Sequence, residues 1–331
     1  MIHANGPQDI KVCKLRYSIS ITNDKPLFFN LVDYRNILFT SNDLEKIIEF
    51  YNGFDNRDQL IQWMKERPKG VSYIHEVDGD NDIIVVIPTA DFNGKYAINC
   101  RENIFKGLHM IFVESGGKDD FYFNYAHNCN VGIKKAMEYN PKWVVVSNDD
   151  MYKIDEVSVL IDGLHKIDPR TINTVYTQTS FYHSRDAIIS ERTIIRSFII
   201  RRLVKRGKER MELEYKYDNR YIAGTSSLFF RLLYKPVNTI KYSGSFGIFS
   251  YKLINELNHD IFDVVYINGA EDIDLCWRLK QMNTNVVFID YKIGDIMGGT
   301  IGLYDSLRKT RDIINVCYLN SKIRSGKLSL L

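Results

Sequence analysis

Proline and glycine are scarce in this chain, 7 and 20 among 331 residues, and no internal repeat is visible. A collagen-like or low-complexity polymer is thereby excluded. Hydrophobic residues at 45% against 26% charged leave enough apolar surface to fold, which excludes a disordered chain as well. Cysteine is sparse: Cys13, Cys100, Cys129, Cys276 and Cys317 lie far apart, odd in number and without CxxC spacing. That points away from a disulfide framework or zinc knuckle and towards a reducing compartment. Long apolar runs are missing too. No stretch reaches the ~18 residues of a membrane span, and the opening residues lack the apolar region of a signal peptide. The expectation is a cytoplasmic protein, soluble or peripheral on the cytoplasmic membrane face. A strong charge of one sign is also absent. The 44 Lys and Arg oppose 41 Asp and Glu, so the chain is no polycation and nucleic acid is not an expected partner.

At about 150 residues per domain, this length allows roughly two domains, or one large α/β domain with an appendage. Residues 1–80 read as an N-terminal extension with two helices, LEKIIEFYNGF and DQLIQWMKERP, ended by Pro68-Lys69-Gly70. The segment EVDGDND (76–82) reads as a polar hinge. Its alternating acids lack the Glu at the twelfth position of a calcium loop. From Ile83 the pattern changes to apolar strands alternating with amphipathic helices: IIVVIP, HMIFVES, a helix over 122–139, WVVVSNDD, a helix over 156–166, and INTVYTQT. This rhythm predicts a parallel sheet with right-handed crossovers and ligands bound beyond the strands' carboxyl ends. Those ends carry residues 89–94, 114–117 and 148–150. The second half is less regular, with a basic stretch (191–210), a strand-like KYSGSFGIFS (241–250), a helix opening at EDIDLCWRLKQM (271–282), and a strand NVVFIDY (285–291) leading into GDIMGGTIG.

Two acidic groups could carry chemistry. Asn148-Asp149-Asp150 follows an apolar strand, and two acids at a strand tip suit a hard cation such as Mg2+ or Mn2+ shared with a diphosphate. Asn and Asp are equally ordinary turn formers. Glu271-Asp272-Ile273-Asp274 opens a helix, where the dipole favours acids and is expected to hold them ionised, as a general base requires. Acidic first turns also serve as plain caps. Arg278, four residues beyond Asp274, is placed for an i,i+4 ion pair.

Taken in order, IIVVIPTADFNG, IFVESGGKDD, AHNCNVGIKKA, VVVSNDDM, GSFGIFS and GAEDIDLCWRLK resemble the family-2 glycosyltransferases of the GT-A fold, over roughly residues 83–300. The resemblance implies an α/β, Rossmann-like, mostly parallel central sheet flanked by helices. It further implies a glycosyltransferase domain over 81–331, with a nucleotide-sugar half (81–180) and an acceptor half with the C-terminal tail (181–331). Pro88 and Thr89 match the loop around the nucleoside. Glu114 matches the acid facing the base, where Asp is commoner, and is followed by SGGKDD in place of an asparagine-serine turn. Asn130 and Gly132 match the N-x-G of the next helix near the nucleotide. Asp150 then matches the metal ligand, Asp149 the partner of ribose or sugar hydroxyls, and Asp272 the catalytic base, flanked by Glu271 and supported by Asp274 and Arg278. Relatives often carry a histidine before a Gly-Gly-Ser-like turn. Here Asp295 precedes Ile296-Met297-Gly298-Gly299-Thr300, and an aspartate could also hold Mg2+ or Mn2+ through oxygen.

The implied activity is inverting transfer from a nucleotide-diphosphate sugar, UDP-sugar first with GDP- or dTDP-sugars as alternatives, to the hydroxyl of a glycan, glycolipid or glycoprotein. Nucleotidyltransfer competes, but no glycine-rich loop with an early Lys and Arg follows the first strand. A non-catalytic sugar- or polyanion-binding protein on the same fold is the third reading. In the basic stretch, residues 192–206 interleave apolar and basic side chains, as expected of a helix lying on a membrane near a lipid-linked acceptor, of a buried helix with a charged outer face, or of a flap over the site.

Overall fold

The computed structural model describes residues 12–13, 38, 41, 43–115, 122–179, 185–204, 206–224, 233–242, 244–296 and 307–329. After β1 (Val12–Cys13), the two expected N-terminal helices form as α1 (Leu44–Asn52) and α2 (Arg57–Glu66). Asp43 caps α1 by accepting from Glu45 N–H, and Asn56 caps α2 by accepting from Asp58 and Gln59. Next come β2 (Ser72–Val77), β3 (Asp80–Thr89), α3 (Lys95–Asn99) with a π turn over Cys100–Ile104, β4 (Leu108–Ser115), α4 (Tyr125–Met137), β5 (Trp143–Ser147), β6 (Met151–Lys153), α5 (Val157–His165) and β7 (Thr174–Thr179). The second half contributes β8 (Arg185–Arg192), α6 (Ile194–Leu203), α7 (Gly207–Lys216), β9 (Tyr221–Gly224), β10 (Tyr234–Tyr242), β11 (Phe246–Ser250), α8 (Tyr251–Glu256), α9 (Glu271–Gln281), β12 (Val286–Asp295), α10 (Arg308–Arg311) and α11 (Ile313–Arg324).

Nine strands form one sheet in the order β1-β2-β4-β3-β5-β11-β7-β12-β6, and β10-β8-β9 form a second, smaller one. The large sheet is mixed rather than mostly parallel. β3 pairs in parallel with β4 and β5, and β12 with β7, whereas the other five neighbouring pairs are antiparallel. The cause is β11, which inserts antiparallel between β5 and β7 and separates the two parallel blocks. Two reversals restore direction, so β3, β4, β5, β7 and β12 still point the same way. Their carboxyl ends, with Thr89, Glu114, Ser147 and Asp295, therefore share one edge, and the start of β11 at Phe246 lies there too. The expected strand over 241–250 is in fact two: β10 ends at Tyr242 in the small sheet and β11 begins at Phe246 in the large one. The expected hinge over 76–82 belongs to β2 and β3, apart from Asp78 and Gly79. A Cβ on Gly79 would fall 2.3 Å from the Leu108 carbonyl carbon, so this short link threads against β4.

Strand alternation explains the core. In β3, Ile83, Val85 and Ile87 face one layer with Leu108, Met110 and Phe112 of β4 and Trp143 and Val145 of β5. Ile84, Val86, Ile111, Val113, Val144 and Val146 face the other, against Ala126, Cys129 and Ile133 of α4 and Leu275 and Leu279 of α9. A third cluster joins Phe50, Tyr51, Trp63 and Met64 of α1 and α2 to Trp277 of α9 and Ile314 and Cys317 of α11. The N-terminal helices thus share a core with the C-terminal ones. Among the described residues no helix is long and apolar enough to cross a membrane.

Gly132 lets α4 approach the sheet: a Cβ there would lie 2.3 Å from Val86 Cγ1 and 2.9 Å from Val113 Cγ2. Both obstacles are branched side chains fixed in the core. Gly132→Ala should therefore destabilise the fold by about 1–3 kcal/mol through overpacking, read as a lower urea midpoint. An unchanged midpoint would contradict this packing.

Candidate active site

The shared sheet edge gathers most of the sequence-predicted residues. Pro88 sits opposite Val113 and Thr89 opposite Glu114 in the β3–β4 ladder. His75 of β2 lies 2.6 Å from Glu114 Oε2 and stacks on Phe92, ring centroids 4.3 Å apart. Thr89 Oγ1 donates to Asp149 Oδ2 at 2.7 Å, tying the end of β3 to the segment after β5. Cys100, in the π turn, points its thiol at the Asp149 carbonyl, 3.3 Å away. Burial, with the charges of Asp149 and Asp150, raises that thiol's pKa, so it remains protonated. Glu114 thus pairs with Thr89 in the ladder, and Thr89 holds the buried Asp149, next to the buried Asp150.

Asp150 and Asp295 are brought together by the backbone. Ile296 N–H donates to the Asp150 carbonyl at 2.9 Å, and Asp295 pairs with Met151 across β12 and β6. Ser245, just before β11, closes the group: its carbonyl accepts from Asn148 N–H at 2.8 Å and its hydroxyl donates to Asp295 Oδ2 at 2.6 Å. An oxygen-only pair at adjacent strand ends fits Mg2+ or Mn2+, which usually take one or two carboxylates and complete their shell with water and phosphate. Among the described residues no group of three or more His, Cys, Asp or Glu is arranged to hold an ion alone. The expected turn over 297–300 and the SGGKDD residues 116–120 lie outside the described residues.

Tyr125 connects this edge to the first turn of α9. Its hydroxyl donates to Asn148 Oδ1 at 2.8 Å. Burial, together with Cys129, Glu271 and Asp272, pushes the phenol well above its ordinary pKa, so it stays a hydrogen donor. Tyr125 thus contacts Asn148 after β5 with its hydroxyl and Asn268, shortly before α9, with its backbone N–H.

The start of α9 is aimed by an irregular segment over 261–270, held by asparagines. Asn124 Nδ2 donates to the carbonyls of Val264 and Tyr266, and Asn130 pairs with both backbone groups of Phe262. Asn315 pairs with both backbone groups of Ile267, and Asn268 Oδ1 accepts from Tyr125 N–H. Asn130 is buried with both amide ends engaged and so clamps this segment. Asn268 and Ala270 hold positive φ of 52° and 67° on either side of Gly269. Ala in that region costs about 1–2 kcal/mol, strain of the kind that concentrates where a turn must aim functional groups.

Within α9 the acids diverge. Asp274 is fully buried and accepts from Arg278 Nε at 2.8 Å, the expected i,i+4 pair, and from Tyr266 Oη at 3.1 Å, with Lys322 of α11 on its other side. The contact with Lys322 ties α9 to α11. Glu271 is buried with Oε2 unpartnered. Burial first, then the negative charge of Asp272, raises its pKa to about 8. The expectation that the helix dipole keeps it ionised fails because desolvation outweighs the dipole. Asp312, just before α11, is raised to about 6 by burial, opposed by the Asn315 hydrogen bond and Arg308, and raised further by Asp272. Asp272 itself is half-buried.

No protein-family model and no curated protein sequence matches this chain. Sequence reasoning missed Tyr125, Ser245 and Asp312. Tyr125 lies in the helical stretch over 122–139 and Ser245 inside GSFGIFS, but a tyrosine beside a helix start and a serine before a strand are common. Asp312 before an apolar helix reads as an ordinary cap. Two open clefts, of about 530 and 310 Å3, lie elsewhere, around Lys280, Asn283 and β10 beyond the far end of α9.

A carboxyl whose pKa rises on folding keeps a proton that the unfolded chain has released, so its burial weakens the fold as pH rises. For Glu271 that penalty is absent below about pH 4.5 and complete above about pH 8. Glu271→Gln should flatten the fall in Tm across this window and raise Tm at its alkaline end. A pH profile identical to wild type would refute the assignment.

Proposed function

We propose that this protein is a glycosyltransferase of the GT-A type, moving a sugar with inversion from a nucleotide-diphosphate donor to an acceptor hydroxyl. The observation that carries the reading is the position of Tyr125, whose hydroxyl donates to Asn148 Oδ1 while its backbone N–H donates to Asn268 Oδ1, three residues before Glu271. A donor diphosphate and an acceptor must meet within one site for a single displacement, and such a junction is where they could do so.

In this reading Asp150 and Asp295 hold Mg2+ or Mn2+ under the diphosphate, where the ion would offset charge on the leaving group. Thr89, Glu114 and Asp149 line the nucleotide and ribose side. Asp272 takes the proton from the acceptor hydroxyl on the face opposite the leaving group, so one displacement inverts the anomeric carbon. The contrast between the two neighbouring acids supports this division. Glu271, neutral up to about pH 8, adds no second charge beside Asp272 at neutral pH. The Tyr125 phenol remains a neutral donor between base and diphosphate.

UDP-sugars are the first donors to test, followed by GDP- and dTDP-sugars, with release of nucleoside diphosphate as readout in the presence of Mn2+. Asp272→Asn should lower turnover by about 10²–10⁴-fold while leaving donor affinity within roughly twofold. Asp150→Ala should remove the part of donor binding that a chelator removes from wild type. Wild-type turnover in Asp272→Asn would exclude it as the base. Absence of nucleoside-diphosphate release with every donor would overturn the function.

A further inference from the structure

α6 faces the wrong way for a helix packed on a globular body. Arg196 is its one fully buried side chain, at 0% exposure, while Ile194 is 89% exposed and Ile195, Phe198, Leu203 and Val204 are also open to solvent. The helical period places Ile194, Ile195 and Phe198 on the face opposite Arg196, with Arg201 and Arg202 beside them. Leu203 and the adjoining Val204 are exposed at the carboxyl end but lie off this face, Leu203 being seven residues beyond Arg196.

What holds the helix is charge. The Arg196 guanidinium makes two hydrogen bonds to Glu214 of α7, at 2.6 and 2.9 Å, and a third to the Tyr234 hydroxyl at 3.0 Å. Glu214 also accepts from Arg210 at 3.1 Å and lies 3.2 Å from Arg192. A buried, bidentate arginine pair of this geometry fixes which face of the helix turns inward, with Ile199 and Ile200 half-buried beside it. The apolar side chains are left to face outward, which is the distribution that marks an interaction surface.

The chemistry of the patch selects the occupant. α6 contains no acidic residue. Among the described residues Arg201 and Arg202 meet no carboxylate; their guanidinium groups lie over aromatic rings, Arg201 at 5.5 Å from the Tyr215 centroid and Arg202 at 4.9 Å from that of Phe198. Large aliphatic side chains, an aromatic ring and unpaired cations on a helix of ten residues suit the boundary of an anionic bilayer. There the apolar groups enter the acyl layer and the arginines meet phosphate. Such a surface needs no shape complementarity, and ten residues span about 15 Å, half the thickness of a membrane core.

We propose that α6 is an in-plane docking helix for anionic lipid membranes, inserting Ile194, Ile195 and Phe198 with Arg201 and Arg202 at the headgroups. This holds whatever reaction the protein performs. The full chain should co-sediment with phosphatidylcholine vesicles containing roughly one third phosphatidylglycerol, much less with pure phosphatidylcholine, and progressively less as salt rises. The double substitution Ile194→Glu and Phe198→Glu should weaken this binding at least about tenfold with an unchanged circular dichroism spectrum and urea midpoint. Arg201→Glu with Arg202→Glu should remove the preference for anionic lipid. Failure of wild type to bind anionic vesicles would overturn the proposal, as would full binding by the Ile194→Glu, Phe198→Glu protein. So would a wild-type dimer that this pair of substitutions dissociates in the absence of any vesicle binding, because the patch would then be a contact between copies.

Discussion

The geometry of the candidate site depends on how the irregular segment over 261–270 satisfies its backbone polar groups. Buried peptide N–H and C=O groups need partners, and a segment without strand or helix partners must take them from side chains. Asn124, Asn130 and Asn315 supply them, each fitting the chain with an amide that can donate and accept at once. Asn268, within the segment, completes the clamp by accepting from Tyr125. With this segment fixed, α9 begins three residues after Asn268, the residue that holds Tyr125 N–H.

A second constraint is the direction of β11. By running against β5 and β7 it makes the sheet mixed, yet it leaves the five principal strands pointing one way. Carboxyl ends far apart in the chain consequently meet at one edge, and Ser245 joins them from the opposite strand direction. Asp149 and Asp150 at this edge are as buried as Glu271 at the start of α9, where burial and the charge of Asp272 raise the carboxyl's pKa.

Much of this was legible from local patterns. The strands at 83–88, 109–115 and 143–147 announce themselves by unbroken apolar runs, and α4, α5 and α9 by helical periodicity, because burial on both faces or on one stripe writes directly into residue order. Pairing direction does not. Nothing in GSFGIFS tells whether the strand runs with or against WVVVS, and the partner of EVDGDN in the sheet is β4, more than 25 residues away. The site divides in the same way. Acids at strand ends and at a helix start stand out by composition, and the Asp274–Arg278 pair follows from helical spacing. The clamp of Asn130 on Phe262 was not legible because the two lie 132 residues apart, and Tyr125 was overlooked because its contacts exist only once α4, β5 and the segment before α9 are packed. For α6 the order of residues held the pattern, but not which face turns inward; a single buried arginine decides that.

The central claim is that the acids after β5 and the first turn of α9 belong to one site with Tyr125 between them. The most direct test is 19F NMR of the full chain carrying 3-fluorotyrosine at position 125, titrated with Mn2+ and a nucleoside diphosphate. A paramagnetic ion held at Asp150 should broaden the Tyr125 resonance strongly, and Asp150→Ala should abolish the effect. A sharp, unmoved resonance under conditions where Mn2+ and nucleotide are bound would place the ion elsewhere and contradict the account.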